Sequence, residues 1–174
     1  VVTVTVSSAS IIANDDLGTA VNGYTGGTSF TNVLGNDLLN GVAVNPSEVL
    51  LTFVSSTNPG VTLSGASVVV APGTYAGSYI LTYQICEVLN PANCDQAVVT
   101  VIVTDNENPT IICPLEIVIN CTEDIPLPFT TLAEFISAGG SATDYNGINS
   151  SSFHLANQTS DNLTCPETIS RVYS

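Results

Sequence analysis

The hexapeptide VVTVTV at residues 1–6 returns as VVTVIV at residues 98–103, each time as an apolar strand running into an Asp/Asn-rich, turn-forming stretch. The offset of 97 residues is the size of one small β-sandwich, and recurrence at a fixed period marks a chain built from tandem modules. A strand at the very start, with nothing before it to pair with, reads as the closing strand of a preceding or neighbouring domain. At the other end, residues 169–174 (ISRVYS) are strand-like and stop without a closing strand. The expected organisation is a closing strand over 1–8, a sandwich over 9–104, and a second sandwich over 105–174 that is incomplete at its C-terminal end. No signal peptide precedes the first strand, so the native N-terminus is expected elsewhere.

The chain has 174 residues, 44% of them hydrophobic, enough to bury a sandwich core. Its apolar runs are short and rich in Val and Ile, far below the twenty or so residues that cross a bilayer as a helix. Fifteen Asp and Glu face one Arg and no Lys, a formal charge of −14. Such a surface disfavours nucleic acid and anionic lipid. It fits both the solubility of an exported protein and specific cation binding.

Cys86, Cys94, Cys113, Cys121 and Cys165 lack the paired spacing of a zinc site and point to an oxidising, extracellular setting. Cys86 and Cys94 flank EVLNPAN between two strong strands, so a disulfide across that hairpin is expected first, and Cys121 with Cys165 second. Cys113 is then odd, with its partner outside this sequence.

Along the chain, residues 7–27 read as linker and loop. Short β-branched runs follow at 49–55, 61–63 and 67–70, separated by NPG and SGA turns. In residues 78–86, Tyr79, Leu81, Tyr83 and Ile85 share one face. Ala97, Val99, Val101 and Val103 share a face of the partner strand. Asn22-Gly23, Asn40-Gly41 and Asn146-Gly147 are turn pairs, and the aromatic residues are assigned to core packing. Pro109 and Pro114 mark a domain junction. Residues 116–120 are expected as a strand and 131–139 as a short helix ending at Gly139. Strand pattern resumes at 151–155 and 168–173.

The junction sequence DNENPTIICP, a strand ending in Cys121 and CPETISRVYS together resemble a hyalin-repeat (HYR-like) domain over residues 105–174. That resemblance implies an immunoglobulin-like sandwich of the kind found in extracellular adhesive proteins, including gliding-type surface adhesins of Bacteroidota. In that pattern the RVYS strand leads into an Asp-x-Cys-Gly-Asn loop and a closing strand, neither of which is present here. Arg171 matches the family's fixed Arg and is expected to pair with an acidic neighbour. Residues 11–103 resemble a bacterial Ig-like or cadherin-like repeat through IIANDD, NVLGNDLLNG and YQICEVLNPANCDQAVVTVIV. The fold class expected is therefore all-β: tandem immunoglobulin-like β-sandwich domains in an extended array.

Catalytic inventory is thin, with one His, one Arg and no nucleophile motif such as G-x-S-x-G. His154 reads as an edge residue, and no enzyme activity is expected. Calcium is the one ligand chemistry that the residues suggest, since it takes six to eight oxygens from carboxylates, amides and backbone. Asp15, Asp16, Asn36 and Asp37 are candidate ligands, and a junction linker and an inter-strand loop at one pole of a sandwich can converge. Asp105 and Glu107 are candidates in a run that resembles the DxNDN linker through which cadherins bind calcium. The same Asp and Asn residues also cap turns, and no D-x-D-x-D-G loop is present. Sequons at Asn120, Asn149, Asn157 and Asn162 matter only in a eukaryotic secreted protein.

The expected function is a structural and adhesive module of a long secreted surface protein or filament, stiffened by calcium at domain junctions. Its partners would be neighbouring domains or subunits and a surface or glycan ligand. Two alternatives carry different chemistry: a filament subunit polymerising by strand complementation, and a non-catalytic accessory module of a secreted enzyme.

Overall fold

The structure, a computed structural model, describes residues 2, 9–119, 124–163 and 166–174. The expected strand at 1–8, the Cys121–Cys165 pair and the Asn120 sequon fall on or against residues outside that set. The chain is predominantly β and divides into two compact units, Val1–Asn106 and Glu107–Ser174. No helix among the described residues is long and apolar enough to cross a membrane.

Unit 1 is built on its longest hairpin. Strands β10 (Gly77–Glu87) and β11 (Asn90–Thr104) pair antiparallel, and β7 (Val49–Ser56) adds to the other edge of β10. A second sheet runs in the order β4 (Gly27–Phe30), β9 (Ser67–Val70), β8 (Val61–Ser64), all antiparallel. The inward residues of both sheets form one core. Leu81, Tyr83 and Ile85 from β10 meet Ala97, Val99, Val101 and Val103 from β11, and Val61, Val68 and Val70 come from the opposing sheet. Period-two alternation puts these side chains on one face, and each fully buried aliphatic contributes about 1.5–3 kcal/mol. Within the long hairpin Cys86 lies directly opposite Cys94 and the two form a disulfide, Cα to Cα 4.1 Å.

The opening of unit 1 is not the linker that its polar composition suggests. It contains β1 (Ile11–Ile12), β2 (Asp16–Leu17) and β3 (Val21–Asn22), and the last two pair in parallel with β11 at Val99–Thr100 and at Val103–Thr104. Two-residue strands are too brief to display an alternation, and their partner lies about eighty residues away, so pairing is dictated by the sheet. Between them the chain crosses from one sheet to the other: Gly18 N donates to Thr100 O and Thr19 N to Ser29 O. A Cβ on Gly18 would collide with the Ser29 hydroxyl, which accounts for glycine at the crossing. β1 pairs with β5 (Leu38–Leu39), which turns back into β6 (Val42–Ala43) through Asn40 and Gly41. Both turn residues have positive φ, 56° and 76°, the geometry of the two-residue turns that Asn-Gly favours.

Unit 2 pairs β12 (Thr110–Ile112) with β13 (Ser141–Thr143), and β14 (Leu155–Ser160) with β15 (Ile169–Tyr173), both antiparallel. Helix α1 (Leu132–Ser137) starts at a capping box in which the Thr131 hydroxyl accepts from Glu134 N and the Glu134 carboxylate accepts from Thr131 N. Its buried Phe135 packs against Phe129, Phe153 and Tyr173, with ring centroids 5.3–5.8 Å apart. The strand expected over 116–120 is not formed in its described part: residues 116–119 join no ladder, and Leu115, Ile117 and Val118 are exposed. Alternating Ile and Val supply strand propensity there, but propensity without a partner strand does not make a sheet.

Candidate functional site

A polar cluster lies in unit 1, where the turn between β1 and β2 meets the loop entering β5. Backbone amides fix the carboxylates one by one. Ala13 N donates to Asp95 Oδ2 at 2.9 Å, Asn14 N to Asp37 Oδ1 at 2.8 Å, and Val98 N to Asp15 Oδ1 at 2.9 Å. The two loops are also stitched together directly: the Asn14 amide donates to Asn36 O at 2.7 Å, and the Asn36 amide to Asp15 O at 3.3 Å. This local order follows from Asn and Asp, whose short side chains engage nearby backbone.

Beneath the loops the site is closed by Tyr83. Its position on the inward face of β10 puts the ring in the core while the hydroxyl reaches the loops. That hydroxyl lies 3.1 and 3.2 Å from the two oxygens of Asp37, 3.1 Å from Asn14 O and 3.0 Å from Val33 O. One proton thus faces four acceptors. Asp37 is fully buried, and Asp16 is 9% exposed with its Oδ2 lacking any hydrogen-bond partner among the described residues.

Electrostatics follow from that crowding. Burial first, and then the neighbouring Asp37 charge, push the Asp16 carboxyl up to about 6, against the pull of an Asn36 hydrogen bond. Burial also raises Asp37, opposed by hydrogen bonds from Asn14 and Tyr83 and reinforced by the Asp95 charge. The Tyr83 phenol is pushed up by burial and by the Asp37 and Asp16 charges, so it remains a donor. Residues 1–106 contain no Lys, Arg or His to offset this negative charge.

Of the ligand candidates read from sequence, Asp15, Asp16, Asn36 and Asp37 share this one neighbourhood. Asp105 lies further along the chain. Asp105 follows β11 six residues beyond Val99, the partner of Asp16, a stretch of about 20 Å in extended chain. Glu107 opens unit 2. Among the described residues no three Asp, Glu, His or Cys side chains form a ready-made metal cage. Sequence reasoning missed Asp95 and the Tyr83 hydroxyl. The alternation of β10 places Tyr83 in the core, but only a buried polar end demanding a partner hints at its second role.

In unit 2, Arg171 meets neutral partners among the described residues, not the acidic neighbour expected. Its Nε donates to Gln158 Oε1 at 2.8 Å and its Nη2 to Pro126 O at 2.7 Å, so it joins β15 to β14 and to the segment before α1 through neutral acceptors. His154 is exposed beside the end of β15, its Nδ1 2.8 Å from Ser152 O. Cys113 is an exposed free thiol. No protein-family model and no curated protein matches the chain.

Proposed function

We propose that this chain is a structural and adhesive module of a long, secreted cell-surface protein or extracellular filament. The observation that carries the reading is the strand plan of unit 1. One sheet in the order β4-β9-β8 and the other with β7-β10-β11 correspond to the B-E-D and C-F-G orders of an immunoglobulin-like sandwich. Near the start of β10, the Tyr79 hydroxyl donates to Tyr75 O at 2.9 Å, the hydrogen bond of a tyrosine corner. The disulfide departs from the inter-sheet bridge of antibody domains, since it clamps a single hairpin, and it favours an oxidising compartment. The acidic surface and the small cationic inventory favour display in salty surroundings over chemistry on a substrate.

Antibodies raised against residues 9–104 test this directly. They should label intact source cells or their extracellular filaments, lose that label after protease shaving, and as Fab fragments reduce attachment to a surface. Label confined to permeabilised cells would overturn the reading.

A second reading, assembly by strand addition, is favoured by the unpaired and exposed apolar run around Leu115, Ile117 and Val118 in unit 2. Concentration-dependent oligomers in size-exclusion chromatography that disappear on Val118→Lys are expected from it. A monomer at every concentration would remove it.

A further inference from the structure

We propose that unit 1 binds a calcium ion inside the domain, between Asp16 and Asp37, rather than at the junction near Asp105 and Glu107. The inference does not depend on the adhesive reading and stands or fails separately from it.

The first argument is charge inventory. A buried carboxylate is retained when it is paired, hydrogen-bonded or neutralised. Asp37 is fully buried and Asp16 nearly so, yet unit 1 has no Lys, Arg or His side chain with which either could pair. The second is the unpartnered Oδ2 of Asp16, an acceptor in a place closed to bulk solvent. The third is the imbalance of donors and acceptors. Around the Tyr83 hydroxyl the two Asp37 oxygens and the carbonyls of Asn14 and Val33 compete for one proton. Such a surplus of oxygen calls for either an extra proton shared by the two acids or a cation.

The type of oxygen selects the ion. Carboxylates, backbone carbonyls and a carboxamide in an irregular arrangement suit calcium, which accepts six to eight oxygens in flexible geometry. Magnesium demands a near-ideal octahedron and holds its water. Asp16 and Asp37 supply the two buried carboxylates. The exposed side chains of Asp15 and Asn36, which border the same two loops, can turn to complete the set with water. An ion here would pin the β1–β2 turn to the β5 loop, joining short segments that otherwise hold by few hydrogen bonds.

The test uses the full oxidised chain, stripped of metal with chelator and then titrated with calcium chloride, with magnesium chloride as a control. Melting followed by circular dichroism should shift upward by about 10 °C at calcium a hundredfold above its dissociation constant. Because the chain has no Trp, terbium emission excited through tyrosine gives a second readout. It should appear with wild type, be competed by calcium, and fall several-fold in Tyr83→Phe. Asp16→Asn should melt no lower than wild type in chelator, since it removes an uncompensated charge, but should lose the calcium shift and the terbium signal. The exposed variants Asp15→Asn and Asn36→Ala keep the fold and should weaken calcium affinity at least several-fold. Wild type indifferent to calcium and chelator, with Asp16→Asn more stable under both conditions, would establish a shared proton and overturn the site. A calcium shift that survives Asp16→Asn, or one lost only in the double variant Asp105→Asn, Glu107→Gln, would overturn it as well.

Discussion

The Tyr83 hydroxyl reaches both oxygens of Asp37, at 3.1 and 3.2 Å, from a ring that is itself part of the hydrophobic core. One side chain therefore ties the packing of β10 to the polar loops above it. Removing only that oxygen leaves a fully buried carboxylate with, among the described residues, the Asn14 amide as its remaining hydrogen bond. Tyr83→Phe is expected to destabilise metal-free unit 1 by about 1–3 kcal/mol, read as a lower urea midpoint at unchanged slope. A midpoint equal to wild type would show that the hydroxyl is dispensable.

The Cys86–Cys94 disulfide closes a short loop, with a sequence separation of 8. Chain-entropy arguments give such a crosslink about 2.5 kcal/mol. The paired Cys86→Ser, Cys94→Ser variant should fold, because the β10–β11 ladder continues from Ile85 opposite Asp95 to Gly77 opposite Val103. Its calorimetric melting temperature should fall by several degrees, and reductant should then have no further effect on unit 1.

The two units carry opposite pH dependence. In unit 1 the folded-state pKa values of Asp16 and Asp37 lie above those of an unfolded carboxylate, so the folded state holds protons more tightly. This contribution is fully present below the unfolded carboxylate pKa and is lost as pH rises through about 6 for Asp16. In unit 2 Glu134 and Asp161 are lowered, first by backbone hydrogen bonds from Thr130 and Leu163 respectively. Their contribution is present above the ordinary carboxylate range and lost as pH falls through the folded values. Calorimetry in chelator should therefore show the unit 1 transition rising, and the unit 2 transition falling, between about pH 7 and about pH 3.

Phe135 anchors unit 2 as the fully buried member of a four-ring cluster. Phe135→Ala is expected to cost about 3–5 kcal/mol. In a unit of this size that loss should abolish its cooperative transition and flatten the near-ultraviolet tyrosine signal of Tyr173. Retention of both would mean that the cluster tolerates a void.

What could be read from sequence follows a physical divide. The β10 and β11 strands were legible because long period-two alternation reports which face is buried, and their hairpin clamp because Cys86 and Cys94 lie just outside a turn. The helical spacing of Leu132, Phe135 and Ile136 ahead of Gly139 announces α1. By contrast, β2 and β3 are strands only because β11 offers an edge to them. Arg171 was expected to pair with an acid through its match to the fixed Arg of the hyalin-type pattern, whereas among the described residues its fork meets an amide and a carbonyl. The acidic cluster was half visible: the Asp-Asp and Asn-Asp dipeptides show in the sequence, whereas Asp95 and Tyr83 join it only through tertiary pairing.

The parallel pairing of β2 and β3 with β11 also has a mechanical meaning. The segment by which the chain enters unit 1 and the strand by which it leaves run side by side in the same direction, joined at Gly18 to Thr100 and at Gly23 to Thr104. Tension applied across the unit loads those hydrogen bonds along the strands. They must then slide past one another and rupture together instead of unzipping singly. A unit wired in this way resists being pulled open from its two ends.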